Sequence, residues 1–137
     1  MSLPFVTDAT SAVQFIMAAT GVLMGLSHIV QPKMWVGFFG RLHEQGESGV
    51  VTRVMIELWP AILIVAFHQV WSGPGIVLTL YGWALSLKIV IGLLAPQIAV
   101  RGLALSQGGQ WRFVGAGVVL LVIAFCAAWA LWAGMQV

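Results

Sequence analysis

Charge is what this sequence lacks most. Only 7% of its 137 residues are Asp, Glu, Lys or Arg, against about 25% in soluble domains, and 61% are hydrophobic. So few charged side chains exclude a soluble globular protein. The net charge of +2 does not indicate nucleic-acid binding, because basic loop residues are what membrane topology requires.

Motifs of catalysis and redox chemistry are scarce as well. The single cysteine, Cys126, excludes an internal disulfide. The chain has no Gly-rich phosphate loop, no cysteine pair, no Ser-His-Asp combination and no long polar segment that could hold an active site. We therefore expect no catalysis by this chain alone.

Long apolar stretches are what the sequence has instead. Four runs of near-uniform hydrophobicity each approach the ~20 residues that an α-helix needs to cross a bilayer: 9–30, 50–71, 75–95 and 113–135. The sequence thus predicts an all-α fold, a four-transmembrane-helix bundle that makes one integral membrane domain over 1–137. Pro32 and Pro96 should end the first and third helices, because the residue before a proline disfavours helical geometry.

The basic residues orient this bundle. All six lie in or beside only two of the gaps between runs, 31–49 and 96–111: Lys33, Arg41, Arg53, Lys88, Arg101 and Arg112. The positive-inside rule makes both loops cytoplasmic and puts both termini outside, which divides the chain into two out-in-out halves. Apolar residues at helical spacing in Lys33–His43, and more weakly in Ile98–Leu105, predict short interfacial helices in these loops.

Four polar residues inside the spans form a predicted intramembrane cluster. Glu57 and Lys88 each lie roughly 10 Å from the cytoplasmic end of their helices, by a rise of 1.5 Å per residue. We expect them to form an ion pair, because each charge offsets the cost of burying the other. Arg53, four residues before Glu57, can share the carboxylate, and His28 near the inner end of the first helix could complete the cluster.

Two interpretations of this cluster compete. It could be a proton or substrate site, because ionisable groups inside membranes are commonly functional. It could instead be a clip that fixes the register of two helices. We favour the clip, because the other acids, Asp8, Glu44 and Glu47, all lie outside the apolar runs and none can relay a proton.

The histidines do not identify a metal or a cofactor. His28 near the inner end of the first run and His68 near the outer end of the second are roughly 20 Å apart by helix rise, which excludes a haem held by that pair. His28 and His43 share one side but lack a third ligand, so we predict no metal site. His68 is expected in the outer headgroup region.

Small and aromatic residues suggest where helices meet. Gly21, Gly25 and His28 share one helix face, where small residues let another helix approach closely. That helix could belong to the same bundle or to another protein, and the sequence leaves both open. Trp59, Trp83 and Trp129 lie deep in their runs, where we expect them to fill the bundle or, less commonly, to contact a pigment, a quinone or a neighbouring helix.

A few positions resemble the DoxX-like small four-helix bacterial membrane proteins. They are the segment 25–32 (GLSHIVQP), Glu57, Gly82-Trp83, Lys88 and Pro96. The resemblance implies a multi-pass bundle in the bacterial cytoplasmic (inner) membrane. It implies no redox activity here, because no residue of a quinone or thiosulfate site can be matched.

Two functions follow as expectations. The first is an accessory or structural subunit of an inner-membrane complex or homo-oligomer, whose partners are membrane lipid and other subunits or further copies of itself. The alternative is a minimal oligomeric transporter or channel that uses Arg53, Glu57 and Lys88. The sequence identifies neither the partner nor any bound lipid, quinone, pigment or solute.

Overall fold

The computed structural model describes residues 6–105 and 107–136 and shows six helices there: α1 (Ala9–Val30), α2 (Pro32–Glu44), α3 (Glu47–Phe67), α4 (Gly75–Leu94), α5 (Pro96–Leu105) and α6 (Gln110–Gly134). The four longest, α1, α3, α4 and α6, are long and apolar enough to cross a membrane, as predicted. The all-α class is therefore confirmed. Residues 1–5, 106 and 137 lie outside the described residues. They include both termini, which are predicted to face outward, and one position of the loop 96–111.

Local chemistry sets the ends of α1. The Asp8 side chain accepts a hydrogen bond from the backbone N–H of Ser11 at 2.7 Å, and the Ser11 hydroxyl oxygen accepts one from the Asp8 backbone at 3.0 Å. The bonds from Ser11 hold the pKa of the Asp8 carboxyl below its ordinary value, because they favour the carboxylate. At the other end α1 stops at Val30, two residues before Pro32.

The second span ends earlier than the sequence predicts. α3 ends at Phe67 rather than near residue 71, and His68 has left helical geometry at φ −128° and ψ 81°. The hydroxyl of Thr79 in α4 donates a hydrogen bond to the Val70 carbonyl at 2.8 Å. The Val70 carbonyl lies beyond the end of α3 and has no partner in that helix, so the bond from Thr79 satisfies it. This allows the chain to leave helical geometry before the tight turn at residues 72–74.

The predicted helices between the spans are present. α2 and α5 begin at Pro32 and Pro96, where a proline is tolerated because the first N–H of a helix has no partner within it. Their helical structure is confirmed, whereas their position at a membrane interface stays a prediction. α2 and α5 contact each other, so both short helices lie at the same end of the bundle.

Helix packing follows a twofold pattern. The most extensive contacts join α1 to α6 and α3 to α4. A long, a short and a long helix occur in that order twice, as α1–α2–α3 and as α4–α5–α6. Exchanging the two halves converts the α1/α6 pair into the α4/α3 pair, which is the relation that an internal repeat produces.

Two apolar clusters fill the bundle, one toward each end. The cluster at the α2/α5 end contains Leu42, Val50, Val54, Ala61, Leu85, Ile89 and Leu103. The cluster at the opposite end contains Val13, Ile64, Leu78, Ile123 and Ala127. Burial of these side chains holds the bundle together in the part of the chain that the structure describes.

Glycines bring α1 and α6 together. A Cβ atom on Gly21 would lie 2.9 Å from the Ala124 Cβ, and one on Gly25 would lie 2.9 Å from the Gly117 carbonyl oxygen. Conversely, a Cβ on Gly117 would lie 2.7 Å from the Gly25 carbonyl oxygen. The small-residue face of α1 is therefore used inside the bundle, against α6, which decides between the two alternatives that the sequence leaves open.

Little of each span is fully buried. No more than 33% of the most apolar stretch of any of the four spans is buried. The prediction that the deep tryptophans fill the bundle is wrong, because Trp59 is 69%, Trp83 48% and Trp129 51% exposed. These three rings lie on the outer surface of the bundle.

The α1/α6 contact generates the first prediction. Gly117→Leu should destabilise the protein by about 1–3 kcal/mol, because the new side chain overlaps the backbone of α1 at Gly25. Gly115→Leu on the same helix is the matched control, since a Cβ there meets nothing within 4 Å. Unfolding in detergent micelles measures both, and equal stability of the two variants would contradict the close contact.

Candidate functional site

Arg53, Glu57 and Lys88 form an ion cluster between α3 and α4. Lys88 Nζ lies 2.6 Å from Glu57 Oε1, and Arg53 Nε lies 3.1 Å from the same oxygen. The structure thus contains the predicted ion pair and the predicted sharing of the carboxylate. The side chains of Arg53 and Glu57 are 15% and 17% exposed, whereas that of Lys88 is 45% exposed. The acid is enclosed, and the lysine is accessible from outside the bundle.

Close glycine contacts on both sides of the ion cluster set its register. Gly82 of α4 faces Ile64 of α3, without room for a Cβ atom between them. Farther along, a Cβ on Gly92 would lie 2.9 Å from the Val54 side chain. Because the two helices are antiparallel, residue numbers rise along α4 as they fall along α3. The ion cluster lies between the two glycine contacts. Small residues in α4 therefore allow the approach that brings Lys88 within hydrogen-bond distance of Glu57.

A cavity of about 290 Å³ lies beside the ion cluster, between α3, α4 and α5. We call it the first cavity. Its ionisable lining residues are Arg53, Glu57 and Lys88, and its other lining residues are aliphatic side chains and glycines. The first cavity is therefore an apolar recess with charge on one wall.

A second cavity, of about 240 Å³, shares Arg53 and Lys88 with the first. Its wall also includes Arg112 and Phe113 at the start of α6 and Phe39 of α2. Arg112 is a site residue that sequence reasoning missed, because it was used only to orient the loop. No spacing in the sequence relates Arg112 to Arg53; the connection from α5 to α6 brings them to one cavity.

His28 does not join the ion cluster. Its ring stacks on Trp35 with centroids 4.0 Å apart and planes 15° from parallel, and its Nδ1–H donates to the Met24 carbonyl at 2.7 Å. The Trp35 indole N–H in turn donates to the Ser27 hydroxyl at 3.0 Å. The expectation that His28 completes the cluster is therefore not met among the described residues. Pro32 turns the chain so that α2 folds its aromatic side chains onto α1, and these cover the imidazole.

His68 lies in the core of the bundle, and its expected depth at the outer headgroup region stays a prediction. It is 0% exposed. Its Nε2 lies 3.1 Å from the amide nitrogen of Gln14 and accepts a hydrogen bond from it. Its Nδ1–H donates to the Thr79 hydroxyl at 3.1 Å, and that hydroxyl donates to the Val70 carbonyl. This chain of neutral hydrogen bonds explains why α3 can end inside the bundle, because it satisfies the polar groups of the turn.

The described residues offer little for metal binding. Within residues 6–105 and 107–136, no three His, Cys, Asp or Glu side chains come together as a metal ion would need. His28 and His68 also have separate sets of neighbours. The ionisable chemistry of the bundle is therefore concentrated in the ion cluster and its two cavities.

Comparison with known protein families, with curated proteins and with solved structures finds no match for this chain. The resemblance to DoxX-like proteins therefore stays a prediction. Function has to be inferred from the ion cluster, the cavities and the outer surface.

The shared carboxylate generates the second prediction. Glu57→Gln should destabilise the protein by about 3–5 kcal/mol, because two cations lose their common acceptor in an apolar layer. Lys88→Met should cost only about 1 kcal/mol, because Arg53 still pairs with the carboxylate and Lys88 is half accessible. Thermal or denaturant unfolding of the purified protein measures both costs.

The double variant and a control complete this test. Glu57→Gln combined with Lys88→Met should cost less than the two single changes together, because the second change removes a charge that the first leaves unpaired. Lys33→Met is the control, since Lys33 has no ion pair in the part of the chain that the structure describes. Additive costs would show that the pair does not stabilise the protein.

Proposed function

We propose that this chain is an accessory or structural subunit of a bacterial inner-membrane complex or of a homo-oligomer, with no catalysis of its own. The observation that carries the proposal is the exposure of Trp59 and Trp83, which lie near the middle of α3 and α4. Lipid-facing tryptophans concentrate at the two membrane interfaces, whereas tryptophan is enriched in contacts between proteins. Helices of a partner or of a second copy would cover these rings.

The ion cluster supports a structural assignment. Both cations reach one oxygen of Glu57, so the negative charge within α3 is paired inside the chain. A clip of this kind holds the α3/α4 hairpin in register and needs no substrate. The proposed clip therefore stabilises the subunit whose outer surface does the binding.

The proposed orientation in the membrane follows from the charge at the end of the bundle where α2 and α5 meet. The loops 31–49 and 96–111 would be cytoplasmic, with α2 and α5 along the interface and both termini outside. Support comes from the exposed basic residues at this end: Lys33, Arg41, Arg101 and Arg112. Positive residues of cytoplasmic loops resist translocation, which gives this end its side of the membrane.

Orientation generates the third prediction. A reporter that is active only in the cytoplasm should be silent when fused after residue 137 and active when inserted in the loop near Gln45. The loop fusion is the control for expression. Activity of the terminal fusion together with silence of the loop fusion would reverse the orientation.

Partner binding generates the fourth prediction. The wild type, purified in mild detergent, should migrate well above the 14.7 kDa of one chain, and Trp59→Ala with Trp83→Ala should release the monomer. Trp111→Ala is the matched control, because Trp111 is 84% exposed but lies at the start of α6, where a headgroup anchor is expected. Native mass spectrometry measures the assemblies. A wild type that is monomeric in native membranes would refute the subunit assignment.

A minimal oligomeric transporter or channel is the second candidate, and the first cavity favours it. That cavity of about 290 Å³ brings Arg53, Glu57 and Lys88 to the wall of a recess that a small solute could enter. A pathway needs these charges, whereas a clip can be replaced by a neutral pair. Liposome flux that the wild type supports, and that a folded Glu57→Gln/Lys88→Met variant loses, would favour the transporter.

A further inference from the structure

The second cavity has an unbalanced charge. Three cationic side chains line it, Arg53, Lys88 and Arg112, and they come from three different helices. Glu57 is the carboxylate that pairs with two of them, and Arg112 donates instead to the Leu105 carbonyl. The formal charge around the cavity is therefore two positives in excess. An excess of this size beside low-dielectric walls attracts an anion.

The cations around the second cavity have spare hydrogen-bonding capacity. The hydrogen bonds of the described residues use one nitrogen of each: Arg53 Nε, Lys88 Nζ and Arg112 Nη1. A guanidinium carries five N–H donors and an ammonium three, so each cation has donors beyond the one used in these bonds. Lys88 and Arg112 are also exposed, which gives a ligand access to the cavity.

We propose that the second cavity binds a phosphate group, carried either by an anionic phospholipid or by free phosphate. Arginine pairs in two-pronged fashion with phosphate oxygens, and two arginines with a lysine suit an ion that carries one to two negative charges. At about 240 Å³ the cavity is smaller than the ~300–1,000 Å³ of sites for drug-sized ligands, so it fits a headgroup rather than a large solute.

The surroundings of the cavity fit the same chemistry. It lies at the α2/α5 end, where the exposed basic residues gather, and basic pockets between helices on the cytoplasmic side bind anionic headgroups. Phe39 and Phe113 form an aromatic wall, with ring centroids 5.5 Å apart. The apolar part of a lipid could rest against this wall while the phosphate meets the cations. The assignment does not depend on whether the chain is a subunit or a transporter.

The test uses the full-length protein in micelles of a maltoside detergent, which carries no phosphate, in buffer without phosphate. One arm adds phosphatidylglycerol to the micelles, and the other adds inorganic phosphate to the solution. Thermal stability and retained lipid by native mass spectrometry report binding. Wild type should be stabilised by the phosphate source that it binds, and Arg112→Gln should weaken that binding about tenfold, because it removes a charged hydrogen-bond donor.

Two controls separate the cavity from general surface charge. Arg101→Gln removes an exposed arginine of α5 that does not line the cavity, and it should bind like wild type. Gly102→Leu keeps every charge but should block binding, because Gly102 lines the cavity and has open space at its Cβ position. Gly37→Leu on α2, also in open space and away from the cavity, is the matched control for Gly102→Leu.

Each outcome decides the proposal. Stabilisation by phosphatidylglycerol alone assigns the site to lipid headgroups, and equal protection by inorganic phosphate in phosphate-free micelles assigns it to free phosphate. The proposal is overturned if neither source stabilises the wild type. It is also overturned if Arg101→Gln loses as much binding as Arg112→Gln, or if Gly102→Leu binds like wild type.

Discussion

One carboxylate in an apolar layer constrains much of this structure. An ionised side chain within a membrane span costs at least ~2.5 kcal/mol, and the cost falls when an opposite charge meets it. Glu57 meets two cations through a single oxygen, and its contact with Lys88 favours one register of α3 against α4. Gly82 and Gly92 provide the close approach that this register needs. The same register places the cations on the walls of both cavities.

The two ends of the bundle solve the problem of buried polarity differently. Toward one end, Gln14, His68 and Thr79 form a neutral network that satisfies its own donors and acceptors and needs no counterion. Toward the other end, Arg53 and Lys88 share one acid, and together with Arg112 they line an open cavity. A neutral, closed network contributes rigidity, whereas an open cationic wall can attract an anion. Binding chemistry is therefore expected at the charged end.

Limited burial between the spans leaves a large apolar outer surface. Glycines let α1 and α6 touch along their backbones, so few bulky side chains fit between the spans. At most a third of the apolar stretch of any span is buried, and even Trp59 and Trp83 face outward. A bundle of this kind presents large apolar faces for its size. Lipid covers such faces by default, and tryptophan near the middle of a span favours helices of another chain.

Sequence alone determined what depends on composition and on local spacing. Four long apolar runs and the prolines that end α1 and α4 follow from hydrophobicity and backbone geometry, and equal depth brought Glu57 opposite Lys88. Tertiary structure decided the rest, because contacts between distant segments have no local signal. It placed His28 against Trp35 rather than Glu57. It enclosed His68, which bonds to Gln14 and Thr79. It also brought Arg112 to the cations of α3 and α4. Those positions depend on how loops return the chain to the bundle, which the spacing of residues along one helix cannot encode.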